Sequence, residues 1–427
     1  MQEDLRSGLK KIGSMKRLQT INDTSSEKLA ELQFESSRET DCYLVPEVQG
    51  YQFGFVTNVL ASRDVQAAFL NCSKKDIHET YLKCMQHRIS PRIIADAPCQ
   101  EAVLTDEKID LRILPAVKFN CDDVGPYITG GLIIGRDVVD GFANVSYNRM
   151  QVKGKDRLGI CLGAGTHLDQ MQKRAEEVKK DLPVAICLGS HPAEMLAAAT
   201  SLKLGEDEME VAGAIRGRAV EMVKAKTVDV NVPATSEIVI EGYIPYDTRE
   251  MEGPFGDFMG FYMERDFSRI VKVTAITYRK DKPLYQSIRA GSLEDCILLG
   301  LEREINIYRA LKQKDINVLA VNSSPMVFSY IVQIDKRDDA EAGRAIDTAF
   351  EVCPWLKYCI VVDDDVDCYD LNDVWWAVAT RCSPASVVID PAAQAYLRDP
   401  AGLHKGRLGM DATMKMEFRH ELRRARP

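Results

Sequence analysis

The chain has 427 residues, 45% hydrophobic and 28% charged, which is enough apolar material for two or three packed cores. A formal net charge of -9 gives no reason to expect nucleic acid or an anionic membrane as partner, and no apolar run of about 18 residues is available to span a bilayer. The start, MQEDLRSGLKKIGSMKRLQ, mixes charges with its apolar positions and has no apolar core, so no secretion signal is expected and the cytoplasm is the default compartment. The twelve cysteines form no CxxC pair and no zinc-like spacing. They read as reduced, structural thiols.

In chain order, helices are predicted near 3–12, 26–37 and 74–86, with a strand at 54–62; together they make a small mixed domain. From about 103 the pattern turns to strands: LRILPAV, ITGGLIIGRD, ANVSYNRMQVKG, DRLGICLGAG, VAICLGS, TVDVNV, SEIVIEGYI and SRIVKVTAITYR. Turn residues separate them, which predicts a sheet closing into a barrel or sandwich, interrupted by helices at 168–180, 192–201 and 208–216. Residues 293–313 repeat apolar positions at three and four and predict one long amphipathic helix. Beyond it, strands near 317–321, 326–334 and 358–363 alternate with helices near 339–351 and 371–380. The arginine-rich end, RHELRRARP, reads as a solvated tail or an oligomer contact.

Three segments could carry chemistry. Glu252-Gly253-Pro254-Phe255-Gly256-Asp257 sets two carboxylates five residues apart on a compact turn, where like charges can keep one acid protonated near neutral pH. Two solvated acids on a surface turn would give the same pattern. ANVSYNRMQV offers Asn144 and Arg149 on a strand, and a guanidinium could hold a carboxylate or link the two acids. His167 follows Gly163-Ala164-Gly165-Thr166, and Glu208 lies in GEDEMEVAG; with the amide of Asn144 these suit a divalent ion such as Mn2+, or else a capping histidine and an acidic helix start.

The combination of ANVSYNR, the histidine after it, the glutamate before VAGAIRG, VPATSEIVIEGYI and EGPFGDFMGFY resembles the UbiD family of prenylated-FMN-dependent (de)carboxylases. VVDDDVDCYDLNDVWWAVATR and LGMDAT extend the likeness to about residue 415. The resemblance implies an α+β fold. It has a mixed α/β domain over 1–104, a split β-barrel binding prenylated FMN over 105–292, a linker helix over 293–315 and a C-terminal α/β oligomerisation domain with a tail over 316–427. It implies Asn144, His167 and Glu208 as ligands of a Mn2+ that holds the cofactor phosphate, with Glu208 chosen over Glu210 by its distance from Gly213. A K+ nearby would be held by carbonyls around Val145 and Ala198, Ala199 and Thr200, and Ser146, Tyr147, Asn148, Arg149 and Thr166 would line the cofactor. Arg149, Glu252 and Asp257 would be the catalytic residues, with Asp257 protonating the carbon that lost CO2.

The implied reaction is the reversible, non-oxidative decarboxylation of an aromatic, heteroaromatic or α,β-unsaturated acid. A small non-aromatic acid such as an anhydromevalonate-type phosphate is the alternative substrate. A flavin prenyltransferase would supply the cofactor, and a homodimer or homohexamer is expected. Arg289 and His191 are candidates for a further anionic or polar substrate group; a salt bridge and a helix start are the simpler explanations. A flavin-dependent oxidoreductase or a silent subunit of a larger complex would also use such a scaffold, but neither needs the complete set of acids, arginine and metal ligands.

Overall fold

The structure is a computed structural model that describes residues 3–22, 24–323, 326–354, 356–391, 406–422 and 424–425. The chain divides into two compact units, one of residues 1–70 and 84–295 and the other of residues 71–83 and 296–427.

The first unit is built on a ten-stranded sheet. Its strands are β1 (Ala102–Thr105), β2 (Tyr127–Ile128), β3 (Leu132–Arg136), β4 (Ala143–Tyr147), β5 (Met150–Val152), β6 (Arg157–Ile160), β7 (Leu182–Leu188), β8 (Ile238–Ile244), β9 (Arg249–Glu252) and β10 (Asp266–Tyr278). They follow the order β2-β5-β6-β10-β8-β7-β3-β4, with β1 and β9 also paired to β10, and the path does not close into a barrel. β10 can serve four partners because it is 13 residues long. β6 and β9 lie along its first half and β8 and β1 along its second. Burial follows from composition: β7 is apolar throughout and is buried at every position, as a central strand covered on both faces must be.

Helices α1 (His167–Glu177), α2 (Pro192–Ala198) and α3 (Glu208–Arg216) follow β6 and β7 in the chain. A buried ion pair, Arg216 Nη1 to Glu194 Oε1 at 2.9 Å, ties α2 to α3. Gly135 in β3 leaves room for Leu168 of α1, whose Cδ1 lies 2.7 Å from where a β-carbon would stand. The unit also holds a four-stranded sheet of Leu18–Thr20, Cys42–Val45, Gly54–Thr57 and Leu284–Gln286, a three-stranded one of Arg92–Ile94, Glu221–Lys224 and Asn231–Pro233, and a two-stranded one. Leu284–Gln286 comes from far along the sequence, so the N-terminal segment and residues near 285 share one sheet.

In the second unit a five-stranded sheet runs Val318–Asn322, Ser329–Ile334, Tyr358–Val362, Arg407–Ala412, Val387–Asp390, with helices Glu341–Val352 and Leu371–Arg381. Helix α4 (Leu293–Gln313) begins in the last residues of the first unit and continues into the second.

Two expected strands are corrected. LRILPAV forms a single 3-10 turn, Leu111–Ile113, because the Asp110 side chain accepts from the Arg112 N–H and Pro115 has no N–H to give a ladder. Of TVDVNV only Asn231–Val232 enters a strand, which runs on to Pro233. The arginine-rich end is not simply solvated: Arg419 bonds Asp335 at 2.9 Å and Asp364 at 2.6 Å, and Arg424 pairs with Asp373.

Gly213 brings α3 against the chain at Ile89, whose carbonyl oxygen lies 2.4 Å from the position of an added β-carbon. Backbone cannot yield as a side chain tip can, so Gly213→Ala is expected to cost about 1–3 kcal/mol and to displace Glu208 at the start of α3. Denaturant unfolding measures the first effect and a crystal structure of the variant the second; wild-type stability with Glu208 unmoved would contradict this packing.

Candidate active site

Asn144, His167 and Glu208 come from three separate elements and meet. Asn144 lies on β4 opposite Gly135, His167 opens α1 and Glu208 opens α3. Asn144 Nδ2 donates to Glu208 Oε1 at 3.0 Å and stands 3.4 Å from His167 Nδ1, while the Val145 N–H donates to Glu208 Oε2 at 2.8 Å. Asn144 and Glu208 are 4% and 1% exposed, so the carboxylate has almost no water to stabilise it. Burial pushes Glu208 up to about 8 despite the two hydrogen bonds. Asn144 Oδ1 is buried with no hydrogen-bond partner. A buried acid without a cation and an orphaned amide oxygen beside an imidazole are the environment a divalent ion would complete. Among the described residues no three His, Cys, Asp or Glu side chains cluster; the trio reaches three ligands only through its amide.

The second cluster forms five residues further along the chain, between β4 and β5. Arg149 Nε and Nη2 donate to Glu252 Oε1 and Oε2 at 3.2 and 3.1 Å, a bidentate fork, and Nη1 lies 3.8 Å from Asp257 Oδ1. Its guanidinium stacks over Phe255 at 4.9 Å, and Phe255 rests on Tyr127 at 4.4 Å. Burial opposes the charge on Arg149, but Cys161, Glu252 and Asp257 more than offset it and hold its pKa above the ordinary value. Glu252 and Asp257 are 2% and 7% exposed, which excludes the solvated surface turn.

Local geometry explains why the turn holds its shape. Gly253 has φ of +87°, a conformation costly for any other residue, and a short ladder of Phe255–Gly256 with Tyr262–Met263 carries the chain back. Asp123 clamps the turn from outside: its Oδ1 accepts from the Gly256 N–H at 2.7 Å and its Oδ2 from the Asn120 N–H at 2.8 Å. Asp257 itself bonds the Phe258 N–H at 2.9 Å. Asp295, near the start of α4, accepts from the Gly291 N–H at 2.7 Å and is pushed up to about 7, by burial first and then by the charge of Asp257. Asp123 and Asp295 were not singled out by motif; the Cys121-Asp122-Asp123-Val124-Gly125-Pro126 turn signal was the one trace of the former.

The remaining candidates divide. Asn148 Nδ2 donates to Ser146 Oγ at 3.1 Å, Tyr147 donates its hydroxyl to the Met195 carbonyl at 3.1 Å, and Thr166 is the exposed residue before α1. Ala198, Ala199 and Thr200 lie at the C-terminal end of α2. His191 is accounted for by structure: its Nδ1 accepts from the Ala193 N–H at 3.1 Å at the start of α2, and burial pushes it down to about 3. Arg289 forms no salt bridge among the described residues; Nη1 and Nη2 donate to the Phe119 carbonyl at 3.1 Å and Asn120 Oδ1 at 2.7 Å.

Removing the partner of a buried charge is costly, so Glu252→Ala is expected to destabilise the first unit by roughly 3–5 kcal/mol. A loss under about 1 kcal/mol in denaturant unfolding would mean that the fork is not desolvated. Asp295 has a folded pKa of about 7 against 3.8, so folding favours its protonated form and its contribution is lost as pH rises through that window. Asp295→Asn cannot ionise. Its melting temperature relative to wild type is therefore expected to rise between about pH 5 and about pH 8, and a constant difference would contradict the burial.

Residues 92–293 match the model of the UbiD 3-octaprenyl-4-hydroxybenzoate carboxy-lyase Rift-related domain, and residues 296–412 match the C-terminal domain of the same family. Anhydromevalonate phosphate decarboxylase of Methanothermobacter thermautotrophicus is 31% identical over 98% of this chain and 99% of its own, and the enzyme of that description from Methanosarcina mazei is 32% identical over 87% of each. An evolved dimeric form of the UbiD-class enzyme HmfF from Pelotomaculum thermopropionicum, in complex with prFMN, superimposes with a TM-score of 0.91 at 33% identity, covering 100% of this chain and 97% of that one. The fold, a mixed α+β architecture whose main sheet stays open, agrees throughout, and the chain belongs to the UbiD family of carboxy-lyases.

Proposed function

We propose that this chain removes CO2 from a small α,β-unsaturated carboxylic acid bearing a phosphate group, with prenylated FMN as cofactor. The observation that carries the reading is the buried guanidinium of Arg149 between Glu252 and Asp257, an arrangement able to hold a carboxylate and move a proton. The choice of a phosphorylated acid rests on the two relatives named for anhydromevalonate phosphate, which align over most of the chain.

When bound, prenylated FMN supplies the electron sink that decarboxylation of an sp2 carbon otherwise lacks. Asn144, His167 and Glu208 would hold a Mn2+ that receives the cofactor phosphate, a role supported by the orphaned amide oxygen and the uncompensated acid. Carbonyls near Ala198, Ala199 and Thr200, at the negative end of α2, suit a K+. Ser146, Tyr147, Asn148 and Thr166 lie on the segments that lead to these ligands and would line the cofactor.

Arg149 orients the substrate carboxylate through the guanidinium donors, at Nη1, that Glu252 leaves open. Glu252 is committed to that guanidinium by two hydrogen bonds and keeps its plane fixed. Asp257, standing off at 3.8 Å, is assigned the proton: as the bond to CO2 breaks, it delivers a proton to the carbon left behind, and solvent restores it. The reverse sequence fixes CO2. A flavin prenyltransferase supplies the cofactor, and the enzyme assembles as a homodimer or homohexamer in the cytoplasm.

Co-expression with a flavin prenyltransferase, followed by assay of CO2 release from a panel of unsaturated and aromatic acids, tests the reading. Asp257→Asn is expected to retain flavin and Mn2+ and lose at least about 100-fold in turnover, whereas His167→Ala loses metal and flavin together. Full turnover by Asp257→Asn would remove that residue from the proton step. A fully loaded protein that releases CO2 from no acid would defeat the proposal.

A further inference from the structure

Arg289 has an unusual balance of partners for a half-buried cation. No carboxylate lies within ion-pair distance of it among the described residues; its two hydrogen bonds go to neutral oxygens, the Phe119 carbonyl and Asn120 Oδ1. A guanidinium has five N–H donors, so three of them are left without a hydrogen bond among the described residues. Asp123 acts on Arg289 electrostatically, but its two oxygens are already occupied by the backbone N–H groups of Gly256 and Asn120. Burial lowers the pKa of Arg289, the mark of a charge that its surroundings do not repay. One face of the guanidinium stacks on Phe34 at 5.2 Å, which fixes its plane, and that ring is itself 65% exposed.

Position makes this cation relevant to the acid turn. Asn120, the acceptor for Arg289, packs on Gly256: an added β-carbon there would stand 2.3 Å from Asn120 Nδ2. Gly291, two residues after Arg289, packs on the other flank, with its own added β-carbon 2.8 Å from the Phe258 carbonyl. Gly256 and Phe258 are the chain neighbours of Asp257. The segment bearing Arg289 and the loop that anchors it therefore bracket the proton donor from both sides, and neither glycine can carry a side chain without pushing the bracket open.

We infer that Arg289 receives the phosphate group of the substrate whose carboxylate lies at Arg149, and so sets the preference for a phosphorylated acid. This deepens the reading above and rests on it. Two cations at separate points of one site give a doubly anionic substrate a single orientation: Arg149 takes the carboxylate that leaves as CO2, and Arg289 takes the end that does not react. A planar fork with three unoccupied donors suits phosphate oxygens, and contact with a part of the substrate remote from the chemistry is where specificity is gained without altering the proton step.

The test uses the holoenzyme and three unsaturated acids of equal length that end in a phosphate, a hydroxyl or a second carboxylate. Wild type is expected to favour the phosphate in kcat/KM, and Arg289→Gln to lower the phosphate-to-hydroxyl ratio about 10- to 100-fold, mainly through KM, with flavin absorbance unchanged. Arg289→Lys keeps the charge but not the fork and is expected to fall between; it also decides the matter should Arg289→Gln fail to load flavin. A wild-type ratio in the variants, or equal preference for the second carboxylate, overturns the assignment. Calorimetry of methyl phosphate binding to holoenzyme separates this inference from the decarboxylase reading: without CO2 from any acid, binding that depends on Arg289 still supports the site, and binding that does not depend on it overturns the site.

Discussion

A buried guanidinium facing two carboxylates is the interaction on which the rest of the first unit turns. Arg149 could not be held at 13% side-chain exposure without countercharge, and the countercharge comes from a segment about a hundred residues away. Both arms reach the meeting point through one strand. Arg149 precedes β5, β5 pairs with β6, and β6 pairs with β10; Glu252 ends β9, which pairs with the start of β10, opposite Asp266. The register of β10 with these neighbours thus sets the fork, and a slip of one residue would turn Glu252 to the other face.

The same stretch of chain feeds a second centre. Asn144 in β4 and Arg149 between β4 and β5 stand five residues apart, so the atoms suited to a metal and the atoms suited to a carboxylate are separated by one short span of backbone. Both centres hold more acid than cation. Around Arg149 the protein supplies two acids for one cation, and around Glu208 a buried acid with no ion-pair partner among the described residues. On the function proposed above, a divalent ion at Glu208 would offset the second imbalance, and the substrate carboxylate would take the donors of Arg149 that Glu252 leaves open. Asp123 and Asp295 act one layer further out, on backbone N–H groups that fix the loops rather than on the reacting atoms.

Much of this was legible in the sequence where a local pattern decides structure. The long helix was expected at 293–313 and occupies Leu293–Gln313, because its apolar period runs through without proline and carries past its one glycine, Gly300. The structure brings Asn144, His167 and Glu208 together, and separately Arg149, Glu252 and Asp257. Reading failed where a side chain competes with the ladder, as at Asp110 before Leu111–Ile113, and where pairing is remote, as for Leu284–Gln286 beside Gly54–Thr57. Asp295 was hidden for a related reason. An acid in the first turn of a helix is ordinary in sequence, and only its burial beside Asp257 distinguishes it.

On the proposed function the two clusters would form one site, Asn144, His167 and Glu208 holding the metal and Arg149 and Asp257 facing the reacting carbon. Anomalous diffraction at the manganese edge from crystals of flavin-loaded protein tests it most directly. The account predicts a single strong peak within bonding distance of Glu208, His167 and Asn144 Oδ1, joined to the flavin phosphate, with the isoalloxazine reaching toward Arg149. A peak elsewhere, or a flavin whose ring lies away from Arg149 and Asp257, would contradict it.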